Sequence, residues 1–155
     1  MRIVLQRVLN AKCTVDGEVT GQIDKGYLLF LGISGDDTTF IAEQMVEKIK
    51  NIRIFEDENG KINKNLEFVN GKILLIPQFT LYADCRKGNR PNFIGAANPE
   101  MAKAMFHYML DLFKEKLGGV EAGRFGADMK IELLNDGPFT LVLDSDNLFK
   151  KENRT

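Results

Sequence analysis

The sequence predicts one α+β domain: a mostly antiparallel or mixed β-sheet, or a partly closed barrel, with two main helices packed on it. Three observations carry this. Strand-like segments outnumber helical ones. The two helical segments are not interleaved strand by strand, as a parallel α/β sheet would need. The chain has 155 residues, 44% hydrophobic and 28% charged, which is single-domain length (roughly 100–200 residues) and apolar enough to close a core without staples. Residues 1–150 are expected to form that domain, and 151–155 a charged tail.

Arg2–Val15 is rich in β-branched residues and runs into Asp16-Gly17, a two-residue hairpin turn, and then the strand Glu18–Ile23. Tyr27–Ile33 is a continuous apolar run flanked by Gly26 and Gly35, the pattern of a strand buried on both faces. The period then changes. Asp36-Asp37 supply a helix cap, and Phe40, Ile41, Met45, Val46 and Ile49 share one stripe, with Glu43, Glu47, Lys48 and Lys50 on the wet side. Ile52–Phe55 returns to strand, Asn59-Gly60 turns the chain, and Lys72–Leu75 leads into a second buried strand near Ile76. The second helix has Asn98 as cap, Pro99 at its first position and Gly118-Gly119 as its stop; Met101, Ala104, Met105, Tyr108, Met109 and Phe113 form its stripe. Val120–Phe125, Met129–Leu134 and Phe139–Leu143 are three further strands, the last two with the weak alternation of a sheet that is wet on one face.

A net charge of −1 excludes a globally basic field, so contact with nucleic acid has to come from a local patch. Cys13 and Cys85 belong to no metal-spaced cluster and read as reduced thiols of a cytoplasmic chain. No apolar run approaches the ~20 residues of a membrane span, and Met1-Arg2-Ile3-Val4 opens a strand rather than a signal peptide. No metal, cofactor or membrane partner is expected.

The usual catalytic constellations are missing. His107 is the single histidine, on the second helix, and reads as a surface polar residue; Ser34 and Ser145 sit in no nucleophile elbow. Cys85 beside Arg86 and Lys87 is a candidate thiol nucleophile, with a small residue at a strand end as the plainer alternative. Glu56-Asp57-Glu58 reads as a solvated turn, and no Walker or Rossmann glycine loop exists.

Three segments are not accounted for by core building. In Pro77–Tyr82, the proline cannot donate to a ladder and should end pairing, which leaves the amides of Gln78, Phe79 and Thr80 to face either a ligand or simply an open sheet edge. Arg86–Phe93 places three cations on a Gly- and Pro-containing loop, suited to phosphates, with Phe93 able to stack on a base; a solvated loop is the alternative. Asn135–Thr140 carries Gly137-Pro138, by default a turn between strands, with nothing local that demands a cis bond.

Together these segments resemble the D-aminoacyl-tRNA deacylase family. Met1–Val8 is similar to the family's opening; Gln78-Phe79-Thr80-Leu81 matches the core of its first motif, Ser-Gln-Phe-Thr-Leu; and Asn135-Asp136-Gly137-Pro138-Phe139-Thr140 matches its second, Asn-x-Gly-Pro-x-Thr. Lys87–Pro91 and Gly123–Met129 resemble further family segments, so the likeness covers nearly the whole chain. In one departure Pro77 replaces the first motif's serine, as in the related animal branch that reads Pro-Gln-Ala-Thr, while Phe79 sides with the main branch. Any role of a hydroxyl at that position is lost.

The resemblance implies a cytoplasmic homodimer, with its active site at the subunit interface, that hydrolyses the ester joining a D-amino acid to the 3′ end of tRNA. Glycyl-tRNA mischarged on an alanine tRNA is a second implied substrate. It implies that the Gly137-Pro138 bond is cis and reaches into the partner's pocket, where its carbonyls reject L-substrates. Catalysis is expected from Gln78, Phe79 and Thr80. The amides of Phe79 and Thr80 would bind the oxyanion, supported by Gln78 and the Thr80 hydroxyl; in the family's alternative that hydroxyl attacks directly. Pro77, Phe125 and Met129 are expected at the substrate pocket, with core packing as the other reading of the last two. Arg86, Lys87 and Arg90 are expected to hold acceptor-stem phosphates. Such an ester needs little side-chain chemistry, because the neighbouring 2′-OH, which RNA has and DNA lacks, can assist; no DNA partner is expected. The rival reading is a non-catalytic RNA-binding or dimerisation module on the same fold.

Overall fold

The structure, a computed structural model, describes residues 1–149; the expected tail, 151–155, lies outside the described residues. Its eight strands are β1 (Arg2–Val15), β2 (Glu18–Ile23), β3 (Gly26–Gly32), β4 (Phe55–Glu56), β5 (Ile62–Lys64), β6 (Lys72–Pro77), β7 (Val120–Ala122) and β8 (Lys130–Asp144); its helices are α1 (Thr39–Asn51), α2 (Pro99–Leu117) and the short α3 (Ser145–Leu148). A six-stranded mixed sheet runs β2-β1-β3-β6-β7, and β8 pairs along the other edge of β1. β1 is antiparallel to β2, β3 and β8, whereas β3, β6 and β7 run parallel. The sheet nearly closes where β2 meets β7. Only glycine fits at Gly21 there, because a Cβ would lie 2.8 Å from the Ala122 carbonyl oxygen.

The β1–β2 hairpin turns on Asp16 (φ 49°) and Gly17 (φ 80°), the positive pair that a type I′ turn needs. β3 is buried almost throughout, as its unbroken apolar run requires. α2 is capped by the Asn98 side chain, begins with Pro99 and stops at Gly118. Both long helices cover one face of the sheet, and Met45, Val46, Ile49, Met105, Phe106, Met109 and Phe113 join Ile3, Leu5, Leu29, Leu31 and Leu75 in one core. A second core forms inside the curl of the sheet from Val8, Ala11, Cys13, Val15, Leu28, Leu74 and Ile76.

Four expectations need correction. The cap of α1 is Thr38, whose hydroxyl accepts from the Ile41 amide at 3.3 Å. Asp37 is instead buried, where its carboxylate takes the Met1 ammonium at 2.6 Å and the Ser34 amide at 2.8 Å. Phe40 and Ala104 leave their helix stripes for the surface. The strand expected at Ile52–Phe55 shrinks to Phe55–Glu56, and that at Val120–Phe125 to Val120–Ala122. The largest change is at the C-terminal end: the strands expected at Met129–Leu134 and Phe139–Leu143 merge into one, β8, which starts at Lys130, and Gly137-Pro138 is not a turn between two. The ladder to β1 continues on both sides, with Gln6 opposite Thr140 and Val8 opposite Asn135. The intervening residues bulge out of the sheet, because one residue of β1, Arg7, faces four of β8.

Candidate active site

β6 ends at Pro77, and the Gln78 amide donates to the Leu31 carbonyl at 2.8 Å. The chain then tightens into a 3-10 turn, Phe79–Tyr82, closed by Leu81 N to Gln78 O at 3.3 Å. It lies flat on β3 because Gly32 has no side chain; a Cβ there would meet the Leu81 Cβ at 2.9 Å. Arg2 holds the turn from the other side. Its guanidinium donates to the Leu81 carbonyl at 3.0 Å and to Asp144 at 3.1 Å, and lies 4.5 Å from the Tyr82 ring centre. Burial, together with the nearby Asp37 charge, pushes the Tyr82 phenol up to about 12, so it stays neutral.

The first amides of a helical turn have no partner within it. Gln78 has found Leu31, so its amide is not free, as the sequence had left open; those of Phe79 and Thr80 donate to no acceptor among the described residues. The Gln78 side-chain amide donates to the Thr80 hydroxyl oxygen. With that oxygen accepting, the hydroxyl proton points onward, and no described side chain is bonded to Thr80 as a base.

This turn forms one wall of a cleft of about 590 Å³. Pro77, Gln78, Phe79, Phe125 and Met129 all line it, together with Phe93, Ala96, Ala97 and Asp128. Phe79 meets Phe93 edge to face at 5.0 Å. The floor is apolar, from Leu31, Ile33 and Ile76. Thr80 is exposed beside the cleft and reaches it through Gln78. A larger groove of about 980 Å³ separates α1 from α2, but its tyrosine and one lysine are already bound, Tyr108 to Glu43 at 2.7 Å and Lys116 to Glu47 at 2.5 Å.

Gly137 and Pro138 do not line the cleft of their own chain. Their peptide bond is cis, and both are exposed on the β8 bulge. Arg7 and Asn135, which lie in the matched segments but were not expected as site residues, hold that bulge. Arg7, only 8% exposed, donates to the Asp136 carbonyl at 3.0 Å and the Ile54 carbonyl at 2.6 Å. It also lies 3.4 Å from the Asp136 carboxylate and 4.7 Å from the Phe139 ring centre. The Asn135 amide group donates to the Arg7 and Phe139 carbonyls, both at 3.0 Å, and accepts from the Phe139 amide at 3.1 Å, closing the bulge at its base. A charge at position 7 was a legible signal, since Ile3 and Leu5 put the odd positions of that strand inward.

The basic loop is tied shut by the Asp84–Asn92 backbone pair at 2.8 and 3.0 Å. Arg86 pairs within it, with Nε and Nη2 on the Asp84 carboxylate at 2.9 and 2.7 Å while its side chain stays 87% exposed. Arg86 holds the Asp84 carboxyl down at about 2, so this clamp is present above the ordinary carboxylate range and is lost only as the pH falls toward 2. Lys87 and Arg90 form no ion pair among the described residues and are exposed. Among the described residues no three His, Cys, Asp or Glu side chains form a metal-sized cluster, and no helix is long and apolar enough to cross a membrane.

His107 stands on the outer face of α2 with Nδ1 2.9 Å from the Lys103 carbonyl, and Cys85 is exposed on the basic loop. Neither lines the cleft. His107→Ala and Cys85→Ala should therefore each keep kcat within about twofold, as expected of exposed positions away from the chemistry; a drop of 100-fold or more in single-turnover rate would return an acid–base or thiol mechanism.

The family model described as D-Tyr-tRNA(Tyr) deacylase matches residues 4–144. The chain is 49% identical to the D-aminoacyl-tRNA deacylase of Clostridium novyi (strain NT), over 96% of this chain and 100% of that one. It is 52% identical to the protein of the same name in Brevibacillus brevis, over 94% and 100%. Among solved structures, one titled c-Myc DNA Unwinding Element Binding Protein superposes with a TM-score of 0.87 at 39% identity, covering 93% of this chain and 98% of that chain. A probable eukaryotic D-amino acid tRNA deacylase shares the fold with a TM-score of 0.82 at 16% identity, covering 92% and 97%. The nearly closed barrel, the two motifs on its rim and these full-length likenesses agree, and the chain belongs to the D-aminoacyl-tRNA deacylase family of hydrolases.

Proposed function

We propose that this protein hydrolyses the ester between a D-amino acid, or glycine mischarged on an alanine tRNA, and the tRNA 3′ end, using backbone groups in place of an acid–base side chain. One observation carries the reading: the amide of Phe79, unpartnered among the described residues, stands at the wall of an apolar cleft with no histidine, serine or cysteine in its lining, and the equally unpartnered amide of Thr80 lies beside it. Water adds to the ester carbonyl carbon, and the carbonyl oxygen gains the negative charge that the two amides steady. The C–O bond to the ribose 3′-oxygen then breaks. The neighbouring 2′-OH passes a proton to that oxygen and recovers one from the attacking water, leaving the free amino acid and tRNA. The Thr80 hydroxyl, oriented by Gln78, serves as a further donor. Thr80→Ala retaining measurable turnover, with no acyl group trapped on the wild-type residue, supports this course; a trapped acyl-Thr80 would replace it with direct attack.

Chiral selection comes from a second copy in a cytoplasmic homodimer. The exposed Gly137-Pro138 bulge enters the partner's cleft, and its carbonyls clash with an L side chain but pass a D one. Glycine has no side chain to refuse, hence the second substrate. Support for the dimer lies in β8, an edge strand along its whole length that bears exposed Leu134 and Val142, since an uncovered apolar edge asks for a partner. Pro77, Phe125 and Met129 hold the aminoacyl group and the terminal adenine. Lys87 and Arg90 contact acceptor-stem phosphates, while Arg86 mainly shapes their loop. The phosphate contacts make binding weaken with salt, and Lys87→Ala should lower the slope of log affinity against log salt by roughly 0.7–0.9, one phosphate's worth.

The decisive experiment follows ester loss from D-tyrosyl-, L-tyrosyl- and glycyl-tRNA. Rapid loss of the D and glycyl esters with the L ester spared is the expected result. Equal cleavage of both tyrosyl esters removes the selection mechanism, and loss of none leaves a non-catalytic RNA-binding module.

A further inference from the structure

The turn that carries the Phe79 and Thr80 amides has little of its own to hold it. Phe79–Tyr82 is one short 3-10 segment, a form with poor hydrogen-bond geometry, and it lies open enough that Phe79 is 56% exposed. Its aim is therefore set by what ties its two ends. The start is tied by the Gln78 amide to Leu31 of β3. The end offers the Leu81 carbonyl, of the kind that a helical turn leaves without an internal partner. Arg2 Nη1 donates to it at 3.0 Å.

Arg2 is itself placed by the sheet. The register of β1 sets it opposite Gly32 of β3 on one side and Asp144 of β8 on the other. Gly32 leaves the gap that the turn fills: a Cβ there would lie 2.9 Å from the Leu81 Cβ and 3.3 Å from the Tyr82 ring. Asp144 accepts from Arg2 Nε at 3.1 Å, and the Tyr82 ring centre lies 4.5 Å from the guanidinium carbon. One planar group thus has three neighbours, two on the turn and one on β8. A planar fork suits this, because it bonds and stacks in fixed directions.

Resting on the deacylase reading, we infer that Arg2 is a positioning residue for the oxyanion site. By holding the Leu81 carbonyl it fixes where the Phe79 and Thr80 amides point, and it does not line the cleft itself. Aim matters because such donors work only at about 2.7–3.1 Å from the developing charge. A misplacement of about 1 Å from a remote change can cost on the order of 100-fold. Stability is the lesser use of this residue. The Arg2 side chain is 42% exposed, and ion pairs at such exposure add little to it.

The test measures kcat and KM for D-tyrosyl-tRNA, with thermal melts, in Arg2→Met, Arg2→Lys and Asp144→Asn. Arg2→Met keeps the stem and deletes every donor. It should lower kcat on the order of tenfold with KM within about twofold of wild type, a fraction of the full misplacement cost. Arg2→Lys should recover part of that loss, since an ammonium can reach the carbonyl without the fork. Asp144→Asn should lower kcat less, and not at all once Arg2 is already Met, because the two act through one contact. The decisive arm puts Arg2→Met into Phe79→Ala and Phe79→Pro. Its factor should persist where the Phe79 amide remains and shrink to about threefold or less where proline has removed it, as coupled sites require.

Equal factors in both backgrounds, an unchanged kcat, or a loss confined to KM would overturn the inference. So would a kcat loss that tracks the melting temperature across the variants. Should Arg2→Met melt below the assay temperature, Arg2→Lys and Asp144→Asn carry the same comparison. A wild type inert toward D-tyrosyl-tRNA would overturn the deacylase reading itself, a different result from an active wild type with indifferent Arg2 variants.

Discussion

Phe79→Pro should lower kcat for D-tyrosyl-tRNA by about 10²–10³ relative to Phe79→Ala, the loss that accompanies one missing oxyanion donor (~3–4 kcal/mol). Both substitutions delete the ring that packs edge to face on Phe93, so both should raise KM. Only proline deletes the amide. Position 79 tolerates it, because it is the first residue of the 3-10 turn, where a φ near −65° fits and the N–H is not needed for the helix. The preceding Gln78 has φ −145° and ψ 79°, which is clear of the α region that a following proline excludes and needs a ψ shift of about 40° to reach the preferred range. Single-turnover deacylation with matched thermal melts reads the difference. Equal kcat for the two variants at equal stability would mean that the Phe79 amide does not touch the developing oxyanion.

Arg7→Met should cost about 2–3 kcal/mol of stability and shrink the preference for D- over L-tyrosyl-tRNA on the order of tenfold or more, equivalent to at least ~1.4 kcal/mol at the transition state. The buried guanidinium is the donor for two carbonyls, Asp136 and Ile54, and the counter-charge of Asp136. Methionine fills the space but leaves both acceptors unpaired. The cost stays below the ~3–5 kcal/mol of a fully buried broken pair, because the Asp136 side chain is 36% exposed and water can reach it. The effect on selection comes from position: once untied from Arg7, the Asp136–Phe139 bulge no longer presents Gly137-Pro138 at a fixed height. Arg7→Lys separates the two roles. A lysine keeps the charge, so part of the stability returns, but its single ammonium cannot bridge both carbonyls in fixed directions, so selection should not recover. Denaturant titration and the ratio of kcat/KM for the two esters check both. An intact ratio in Arg7→Met would show that the bulge is placed by Asn135 and β1 alone.

The sequence was most legible where a few adjacent residues carry the whole physical requirement. Asp16-Gly17 can adopt the positive φ pair of a tight hairpin, and Asn98, Pro99 and Gly118 mark the ends of α2 with groups that bond within one turn. Pro77 has no amide to give and β6 ends there; the Gln78 amide still reaches Leu31 of β3, and only those of Phe79 and Thr80 find no acceptor among the described residues. Those requirements already marked part of the cleft lining, which Phe125 and Met129, open from sequence to core packing as well, turn out to share.

Other features answered to partners far away in the chain, which no local pattern names. Asp37 looked like a helix cap, yet it is drawn inside by the Met1 ammonium, to which Ser145 also bonds at 2.8 Å, so Thr38 takes over the cap. Gly137-Pro138 looked like a turn because turn chemistry is local, but β8 is held to β1 by eleven pairings across more than a hundred residues of sequence on both sides of it, so the chain bulges there instead of reversing. The chain alone determined the β1–β2 turn, the two ends of α2 and the end of β6 at Pro77. Tertiary structure decided which charges end up buried together and where the bulge points, because those depend on which distant surfaces exclude water from one another.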